Sequence, residues 1–308
     1  MMQSAFDPHG PGAQGVLTLS WVMFAGAGLI LLLVVALTAY AALAPRSRRR
    51  WLAGAPTIVA GGIVFPVVTL SALLVYGLLL GNDLIAAGRD ALRIEITGEQ
   101  WWWRVRYLDE AGQPLFETAN ELHLPAGRPV ELLLKSADVI HSFWAPNLAG
   151  KIDLVPGRVN RLRLQADEPG VLRGQCAEYC GGPHALMAFY VVVEAPAAFD
   201  AWMANQRAPA EDPRDPSLAQ GRERFMSAGC LACHTIRGTP AFGSHGPDLT
   251  HVGSRVSIGA GNFPNNAGTL AVWIADSQHL KPGNHMPPFA ASLGADLLAV
   301  AGYLESLK

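Results

Sequence analysis

Two long stretches without a charged residue lie near the N-terminus, and they constrain the fold of this chain more than any other feature. Residues 16–44 contain no Asp, Glu, Lys or Arg, and neither do residues 52–82. At about 1.5 Å of rise per residue, a helix of either length exceeds the roughly 30 Å hydrocarbon core of a bilayer. Pro66 lies within the second stretch, where a packed membrane helix tolerates it as a kink. The sequence therefore predicts a hairpin of two membrane helices, at about 16–44 and 54–82, within an N-terminal region of residues 1–90.

The short connection between the two stretches carries an arginine run that predicts its orientation. Its arginines are Arg46, Arg48, Arg49 and Arg50. Because basic loops tend to stay in the cytoplasm, both termini are expected on the outer face of the membrane. A cleaved signal peptide is the alternative for the first stretch, but no Lys or Arg precedes it and it is longer than a signal-peptide core. We therefore expect a retained, multi-pass anchor.

Residues 91–200 show the alternation of apolar and polar side chains that is typical of strands, as at Leu92, Ile94 and Ile96. Turns with Pro or Gly separate further strand-like segments. These segments are residues 130–134, 159–164 and 188–193. The pattern predicts a small all-β sandwich or barrel just outside the membrane.

A polar, Pro-containing segment at residues 201–216 predicts a linker, after which a second domain occupies residues 217–308. This domain opens with a short helix leading to Cys230. It ends with apolar residues spaced along one helix face. They are Leu293, Leu297, Val300, Leu304 and Leu307. A formal net charge of −2, without a basic cluster beyond the arginine run, argues against a nucleic-acid partner.

Four soft donor side chains lie within twelve residues, at Cys176, Cys180, His184 and Met187. Thiolate, imidazole and thioether ligands together favour copper over hard cations. Zinc is the rival metal, but structural zinc sites use Cys and His and have no need of Met. A disulfide between the two cysteines is the other alternative in an oxidising compartment. The segment therefore predicts a copper site in a loop at the edge of the β-domain.

A second histidine, His141 in the segment Asp-Val-Ile-His-Ser-Phe-Trp, lies 35 residues before Cys176 and beside an expected strand. Two Cys, two His and one Met are more ligands than a single copper ion in such a site usually binds. Two copper ions bridged by both thiolates, each with one His, would use the whole set. The backbone carbonyl of Glu178 can supply a further weak ligand.

Cys230-Leu-Ala-Cys233-His234 is the pattern of covalent haem c attachment, with two thioether links and an axial histidine. A thioredoxin-like redox pair also uses two cysteines at this spacing, but in a βαβ context that is absent here. Met286 is the strongest candidate for the second axial ligand, with His285 as its competitor. Methionine ligation would raise the reduction potential of the iron.

The two copper segments resemble the dinuclear CuA site of cytochrome c oxidase subunit II, a family whose two-helix anchor also fits the N-terminal hairpin. The resemblance implies a cupredoxin-like barrel in which Cys176 and Cys180 bridge two copper ions. It implies His141 and His184 as terminal ligands, and Met187 and the Glu178 carbonyl as weak axial ligands.

The C-terminal domain resembles an all-α class I cytochrome c, with a methionine loop around Met286 and a haem-edge loop at residues 246–249. Together the resemblances imply the electron-entry subunit of a caa-type haem-copper oxidase in a bacterial inner membrane. Electrons would pass from haem c to CuA and then to subunit I, which carries haem a and CuB. Subunit III would be a further partner, and the donor would be cytochrome c or a quinol-cytochrome c reductase-type complex.

Two further roles follow from the family resemblance. Trp101 matches the residue through which family members accept electrons, although strand aromatics more often serve packing, which is the role expected of Trp102 and Trp103. The Glu178 carboxylate and Asp153 would help to hold a magnesium ion at the contact with subunit I.

The chain departs from mitochondrial family members, which carry a glutamate at the cytoplasmic start of the second helix, because residues 51–57 contain no acid. A proton-entry role for this subunit is therefore in doubt. The CuA subunit of a nitric oxide reductase and a copper-handling protein without turnover remain open alternatives. The other histidines are expected to serve packing or the surface. They are His123, His245, His251 and His279.

Overall fold

Two long apolar helices begin the chain in the computed structural model, which describes residues 3–85 and 91–308. Helix α1 spans Pro11–Leu43, and the second span consists of α2 (Ala55–Val59), a wider turn (Ala60–Val64) and α3 (Phe65–Ile85). Both spans are long and apolar enough to cross a membrane, and none of their most apolar windows is buried against protein. Their exposed Leu and Val side chains are suited to lipid.

Both spans differ slightly from the predicted ranges. Helix α1 begins at Pro11, before the uncharged stretch, because Pro is favoured in the first turn, where its missing N–H costs no hydrogen bond. The wide turn at Ala60–Val64 ends two residues before Pro66. Since Pro66 has no N–H for the helical hydrogen-bond ladder, a local π-turn accommodates it and the helix continues.

The start of α1 is hydrogen-bonded to the β-domain. His9 N donates to Asn147 O at 2.7 Å, Ala13 N to Leu148 O at 2.9 Å, and Asp167 N to His9 O at 2.9 Å. The N-terminal end of the hairpin and the β-domain therefore lie at the same end of the membrane spans.

Ten strands form a sandwich of two five-stranded sheets. In spatial order the first sheet contains β3 (Pro114–Ala119), β2 (Trp102–Leu108), β1 (Leu92–Glu99), β5 (Val130–Ser136) and β8 (Asn160–Leu164). The second contains β4 (Glu121–Pro125), β10 (Ala188–Glu194), β9 (Gly170–Cys176), β6 (His141–Trp144) and β7 (Ile152–Leu154). Alternate residues such as Ile94, Ile96, Leu132 and Leu134 are fully buried between the sheets. The predicted all-β domain is confirmed.

Helix α4 (Pro196–Arg207) follows the last strand and packs on the β-domain. The Trp202 ring stacks on His123 with centroids 4.0 Å apart, and it meets the Tyr107 ring edge-on at 5.1 Å. The linker predicted for residues 201–216 is therefore wrong for residues 201–207. Polar composition suggested a linker, but three apolar side chains, Phe199, Trp202 and Met203, hold a short amphipathic helix against the sandwich.

The C-terminal domain is mainly helical around its own apolar core. Its helices are α5 (Pro216–Ser227), α6 (Ala267–Leu280), α7 (Ala290–Leu293) and α8 (Leu297–Ser306). Two short strands, β11 (Ser257–Ile258) and β12 (Phe263–Pro264), form a small hairpin before α6. Of the five apolar residues predicted to lie along one helix face, four are buried in this core: Leu293, Val300, Leu304 and Leu307. The fifth, Leu297, packs against it.

Candidate copper and haem sites

Strand pairing brings the distant histidine to the cysteine loop. His141 begins β6 and Cys176 ends β9, and these two strands pair with Phe143 opposite Cys176. The loop that follows β9 then turns back over the strand ends before β10 begins at Ala188. A separation of 35 residues along the chain thus becomes direct contact in space.

The six residues expected to bind copper lie together in the structure. The two thiol sulfurs, Cys176 Sγ and Cys180 Sγ, are 3.7 Å apart, and both cysteines are free. Cys176 Sγ lies 4.0 Å from His141 Nδ1 and 3.2 Å from the carbonyl oxygen of Glu178. Cys180 Sγ lies 3.4 Å from His184 Nδ1 and 3.7 Å from Met187 Sδ. Since a disulfide needs sulfurs about 2.05 Å apart, these two sulfurs are not bonded to each other.

A carboxylate holds the ring of His141 in the orientation that a metal ligand needs. Asp138 Oδ1 accepts a hydrogen bond from His141 Nε2 at 2.7 Å, which leaves Nδ1 directed at Cys176. A Cβ on Gly98 would lie 2.7 Å from the His141 ring, so this close packing requires glycine. Sequence reasoning missed Asp138, although its position three residues before His141 was a usable signal.

The pKa values of the two thiols are shifted in opposite directions. Hydrogen bonds from Cys180 first, and also from His141 and the backbone, lower the pKa of Cys176 despite its burial. The same contact with Cys176, together with burial, raises the pKa of Cys180. A metal cation bound between the sulfurs would replace the remaining proton. Soft donors, closely spaced sulfurs and an oriented histidine therefore fit copper.

A cavity of about 580 Å³ occupies the C-terminal domain and opens towards the β-domain. Its wall includes Cys230, Cys233, His234 and Met286, the four residues expected to hold haem. The rest of the wall is largely apolar, with side chains such as Phe225, Leu249, Ile274 and Leu304. The volume lies within the range of about 300–1,000 Å³ that is typical of ligand pockets, and the lining suits a large flat apolar group.

His234 is oriented to bind iron through one defined nitrogen. Its Nδ1 donates to the carbonyl oxygen of Pro247 at 2.9 Å, which leaves Nε2 as the free lone-pair nitrogen. Burial lowers the pKa of His234 and so favours the neutral ring that a metal ligand must have. A Cβ on Gly246 would lie 2.6 Å from this ring, so the predicted haem-edge loop approaches His234 closely because of its glycine.

The methionine loop is held by side-chain hydrogen bonds. Met286 N donates to Asn284 Oδ1 at 2.8 Å, while Met286 O accepts from Ser277 Oγ at 3.1 Å and from Gln278 Nε2 at 2.9 Å. His285 also lines the cavity but is exposed, and its ring lies 6.0 Å from that of Trp101. The backbone of the loop is thus fixed on either side of the Met286 side chain.

The β-domain completes the haem cavity. Gln100 and Trp101 in the β1–β2 turn and Trp102 at the start of β2 line it. Trp101 Nε1 and Gln100 Nε2 both donate to the carbonyl oxygen of Cys180, at 2.9 Å and 2.8 Å. Trp101 therefore touches the copper loop and the haem cavity at once, a position that the sequence could not show.

The neighbouring tryptophans differ from each other. Trp103 is buried in the sandwich core, where its ring meets Phe143 and Phe189 edge-on, as expected of a packing residue. Trp102 instead lines the haem cavity, and the Arg104 guanidinium lies 4.7 Å from its ring. Trp102 therefore lies at the haem cavity and does not only pack within the β-domain, as was expected.

The residues expected to hold magnesium each have other contacts. Glu178 Oε2 lies 3.6 Å from Lys151 Nζ, and the backbone carbonyl of Asp153 accepts from Asn160 Nδ2 at 2.6 Å. The magnesium site stays a prediction.

His251, which was expected to serve packing or the surface, lies within hydrogen-bond distance of the carbonyls of Ala208 and Lys308 through its two ring nitrogens. It therefore serves packing.

Comparison with known proteins decides the family. Residues 106–195 match the family model described as cytochrome C oxidase subunit II, periplasmic domain, and residues 218–308 match the model described as cytochrome c. The chain belongs to the cytochrome c oxidase subunit II family. In this chain a cytochrome c domain follows the subunit II domain.

Curated relatives support the same assignment. Cytochrome c oxidase subunit 2 of Alkalihalophilus pseudofirmus is 41% identical over 221 residues, which cover 72% of this chain and 63% of the relative. That of Bacillus subtilis is 33% identical over 233 residues, covering 71% and 63%. The chain thus spans slightly less than two thirds of the length of these relatives. A crystal structure of the periplasmic domain of subunit II of cytochrome oxidase of Bradyrhizobium japonicum is 32% identical, covers 38% of this chain and 93% of that one, and has a TM-score of 0.35.

The expected order is confirmed as two apolar N-terminal helices, a sheet-rich cupredoxin-like domain and a helical cytochrome c domain. The two domain families imply copper in the first domain and haem c in the second. Two candidate membrane helices and a periplasmic-type domain indicate that this member of the subunit II family is a membrane subunit.

Proposed function

We propose that this chain is the electron-entry subunit of a proton-translocating cytochrome c oxidase that reduces O₂ to water. The chain itself carries electron transfer only, from haem c to a dinuclear CuA centre and then to subunit I. One observation carries the proposal: Trp101 forms part of the wall of the haem cavity and donates a hydrogen bond to Cys180 O in the copper loop. The two redox sites are therefore neighbours in one chain.

A dinuclear centre uses all the donors at the copper site. In this proposal Cys176 and Cys180 would both hold the two copper ions, and the close approach of their sulfurs supports it. His141, His184, Met187 and the Glu178 carbonyl would supply the remaining ligands. The bound pair supplies one-electron chemistry. Cys176 and Cys180 are buried, so the site is shielded from water, and Asp138 orients the His141 ring.

Haem c would be held through thioether links to Cys230 and Cys233 and by axial bonds from His234 and Met286. The bound haem supplies one-electron chemistry at a potential raised by the thioether of Met286. The protein orients the His234 ring through Pro247 O and fixes the Met286 backbone through Asn284. Trp101 contacts both sites and is proposed as the path of electron entry into the copper centre.

The partner that takes the electron from copper would be subunit I, with haem a and CuB, and subunit III would complete the membrane complex. The spans must dock on such a partner, because the chain has no oxygen-reducing centre of its own among its described residues. A magnesium ion held by the Glu178 carboxylate and Asp153 would lie at this contact. The donor to haem c would be cytochrome c or a quinol-cytochrome c reductase-type complex.

The membrane in this proposal is a bacterial inner membrane, with both termini and both metal domains on the periplasmic side. The hydrogen bonds from the start of α1 to the β-domain support a shared side for the N-terminus and the copper site. The arginine-containing connection at the other end of the spans then faces the cytoplasm.

Two measurements test the proposed function. The purified complex should consume O₂, and the copper signal in electron paramagnetic resonance should show one unpaired electron shared between two copper nuclei. Activity with nitric oxide alone would instead identify a nitric oxide reductase subunit. A mononuclear copper signal in fully loaded protein, with no electron transfer from haem, would identify a copper-handling protein.

A further inference from the structure

A buried lysine joins the two redox domains. Lys281 follows α6 in the haem domain, five residues before Met286, and its side chain is only 2% exposed. Its ammonium nitrogen donates to Trp101 O at 2.6 Å, to Leu186 O at 2.8 Å and to Gly259 O at 3.4 Å. The first two acceptors belong to the copper domain and the third to the haem domain. Three carbonyl oxygens thus match the three N–H donors of one ammonium group.

The acceptors of Lys281 lie at the copper loop itself. The Leu186 carbonyl is in the peptide unit whose nitrogen belongs to Met187, the expected axial copper ligand. Trp101, whose carbonyl is the other copper-domain acceptor of Lys281, donates its indole N–H to Cys180 O on the other side of the same loop. Asn262 Nδ2, also in the haem domain, donates to Leu186 O at 2.6 Å. Two haem-domain side chains, Lys281 and Asn262, therefore bind the copper loop at the same carbonyl, Leu186 O.

The backbone of Lys281 is tied to the haem ligand. Its carbonyl oxygen accepts from Asn284 Nδ2 at 2.8 Å, and Asn284 Oδ1 accepts from Met286 N at 2.8 Å. A continuous series of bonds therefore runs from Met286 through Asn284 and Lys281 to Leu186, next to Met187.

No carboxylate compensates this cation. Among the ion pairs of the residues that the structure describes, none involves Lys281. Burying a lysine without a carboxylate partner is costly, and burial lowers the pKa of Lys281 to about 7, although the charge of the nearby Cys180 thiol group acts to raise it. An apolar side chain would fill the same space without that cost, but it would leave the carbonyls of Trp101 and Leu186 without this donor.

We propose that Lys281 is a positioning residue that holds the methionine loop of the haem domain in register with the copper loop. This inference rests on the proposed function, because the register is what sets the distance between the two redox groups. Electron transfer between the sites slows steeply as they separate, so loss of the register slows transfer without removing either group.

The test uses the full chain in detergent, loaded with copper and haem, and the variants Lys281→Met and Lys281→Gln. Lys308→Met is the matched control, because it removes one lysine charge from an exposed side chain at the C-terminus. The haem and copper spectra report loading. Single-electron reduction of haem then gives the rate of transfer to copper, and pulsed electron paramagnetic resonance gives the distance between the oxidised centres.

We expect Lys281→Met to keep both spectra, to lengthen or broaden the distance distribution and to slow transfer at least tenfold. Lys281→Gln, whose amide keeps two of the three N–H donors without the charge, should fall between it and the wild type, and Lys308→Met should match the wild type. An unchanged distance and rate in Lys281→Met would overturn the proposal while leaving the proposed function intact. Loss of copper or haem from both Lys281 variants would overturn it too, since the residue would then be needed to form a site. A wild-type chain that transfers no electron from haem to copper would instead refute the proposed function.

Discussion

The copper site and the haem site are built in different ways, although they are neighbours. At the copper site protein contacts already gather the donors: the two sulfurs are 3.7 Å apart and Asp138 holds His141. At the haem site the expected ligands line a cavity of about 580 Å³, and Cys233 is exposed whereas Cys230 is buried. We therefore expect the copper domain to fold around an almost complete site, and the haem domain to need its cofactor as part of its core.

The largest expected effect separates the two domains by their dependence on a cofactor. Replacing both haem cysteines, Cys230→Ala with Cys233→Ala, should abolish covalent haem and remove the cooperative unfolding of the haem domain, because its cavity walls lose their packing partner. Copper binding should persist. Haem staining, copper analysis and thermal unfolding followed by circular dichroism measure these outcomes.

The matched control for that change is Cys176→Ser with Cys180→Ser, which should lose copper but keep haem and both folded domains. If removal of haem also abolished copper binding, the contrast between the two sites would be wrong. The copper domain would then depend on the haem domain for its fold.

The second effect concerns how strongly the protein shapes the copper site before metal binds. Asp138→Asn removes the charge that orients the His141 ring, and loss of such a partner typically lowers metal affinity about 10–100-fold. Competition with a copper chelator measures the change. Asp200→Asn, at an exposed position on α4, is the control and should leave the affinity unchanged. Equal affinities in both variants would contradict a preformed site.

A third effect concerns pH and the contact between the domains. Burial tends to lower the pKa of His123, but hydrogen bonds and charge from Glu121 and Glu194 outweigh it and raise the pKa. Glu121 also accepts a hydrogen bond from Val256 N in the haem domain at 2.7 Å. The imidazolium of His123 therefore stabilises the folded chain.

The sign of the pH dependence follows from that raised pKa. The stabilisation is fully present below the ordinary histidine pKa of about 6.5, and it is lost as the pH rises through the raised value of the folded state. Urea unfolding across this range should show stability falling with rising pH, and His123→Gln should flatten this component. A slope that is the same in both proteins would show that His123 does not contribute.

The smallest effect concerns one hydrogen bond to the copper loop. Trp101→Phe keeps an aromatic ring but loses the bond from Nε1 to Cys180 O, which should cost the copper domain about 1 kcal/mol. Gln100 still donates to the same carbonyl, so the loop should keep its copper. Urea unfolding of the copper domain measures the cost. A loss of copper in Trp101→Phe would show that Gln100 alone cannot hold the loop.

Much of this molecule could be predicted from the sequence because the signals are local. Residues 16–44 and 52–82 lack charge throughout, so their membrane character needs no knowledge of packing. The haem attachment motif and the copper loop each place several donors within a few residues, and chemistry alone limits what such sets can bind. His141 was expected from its motif, and strand pairing explains how it reaches the loop.

The tertiary structure decided the relation between these parts. Composition suggested a polar linker through residues 201–207, but Trp202 packs on His123 and makes that segment a helix of the β-domain. The contacts of Trp101 with Cys180 and of Lys281 with Leu186 join residues far apart in the chain, and no local pattern records such pairs. Sequence by itself determined which groups this chain can bind, because ligand identity is a local property. Only the folded structure determined how the two sites face each other, because that depends on contacts between separately folded surfaces.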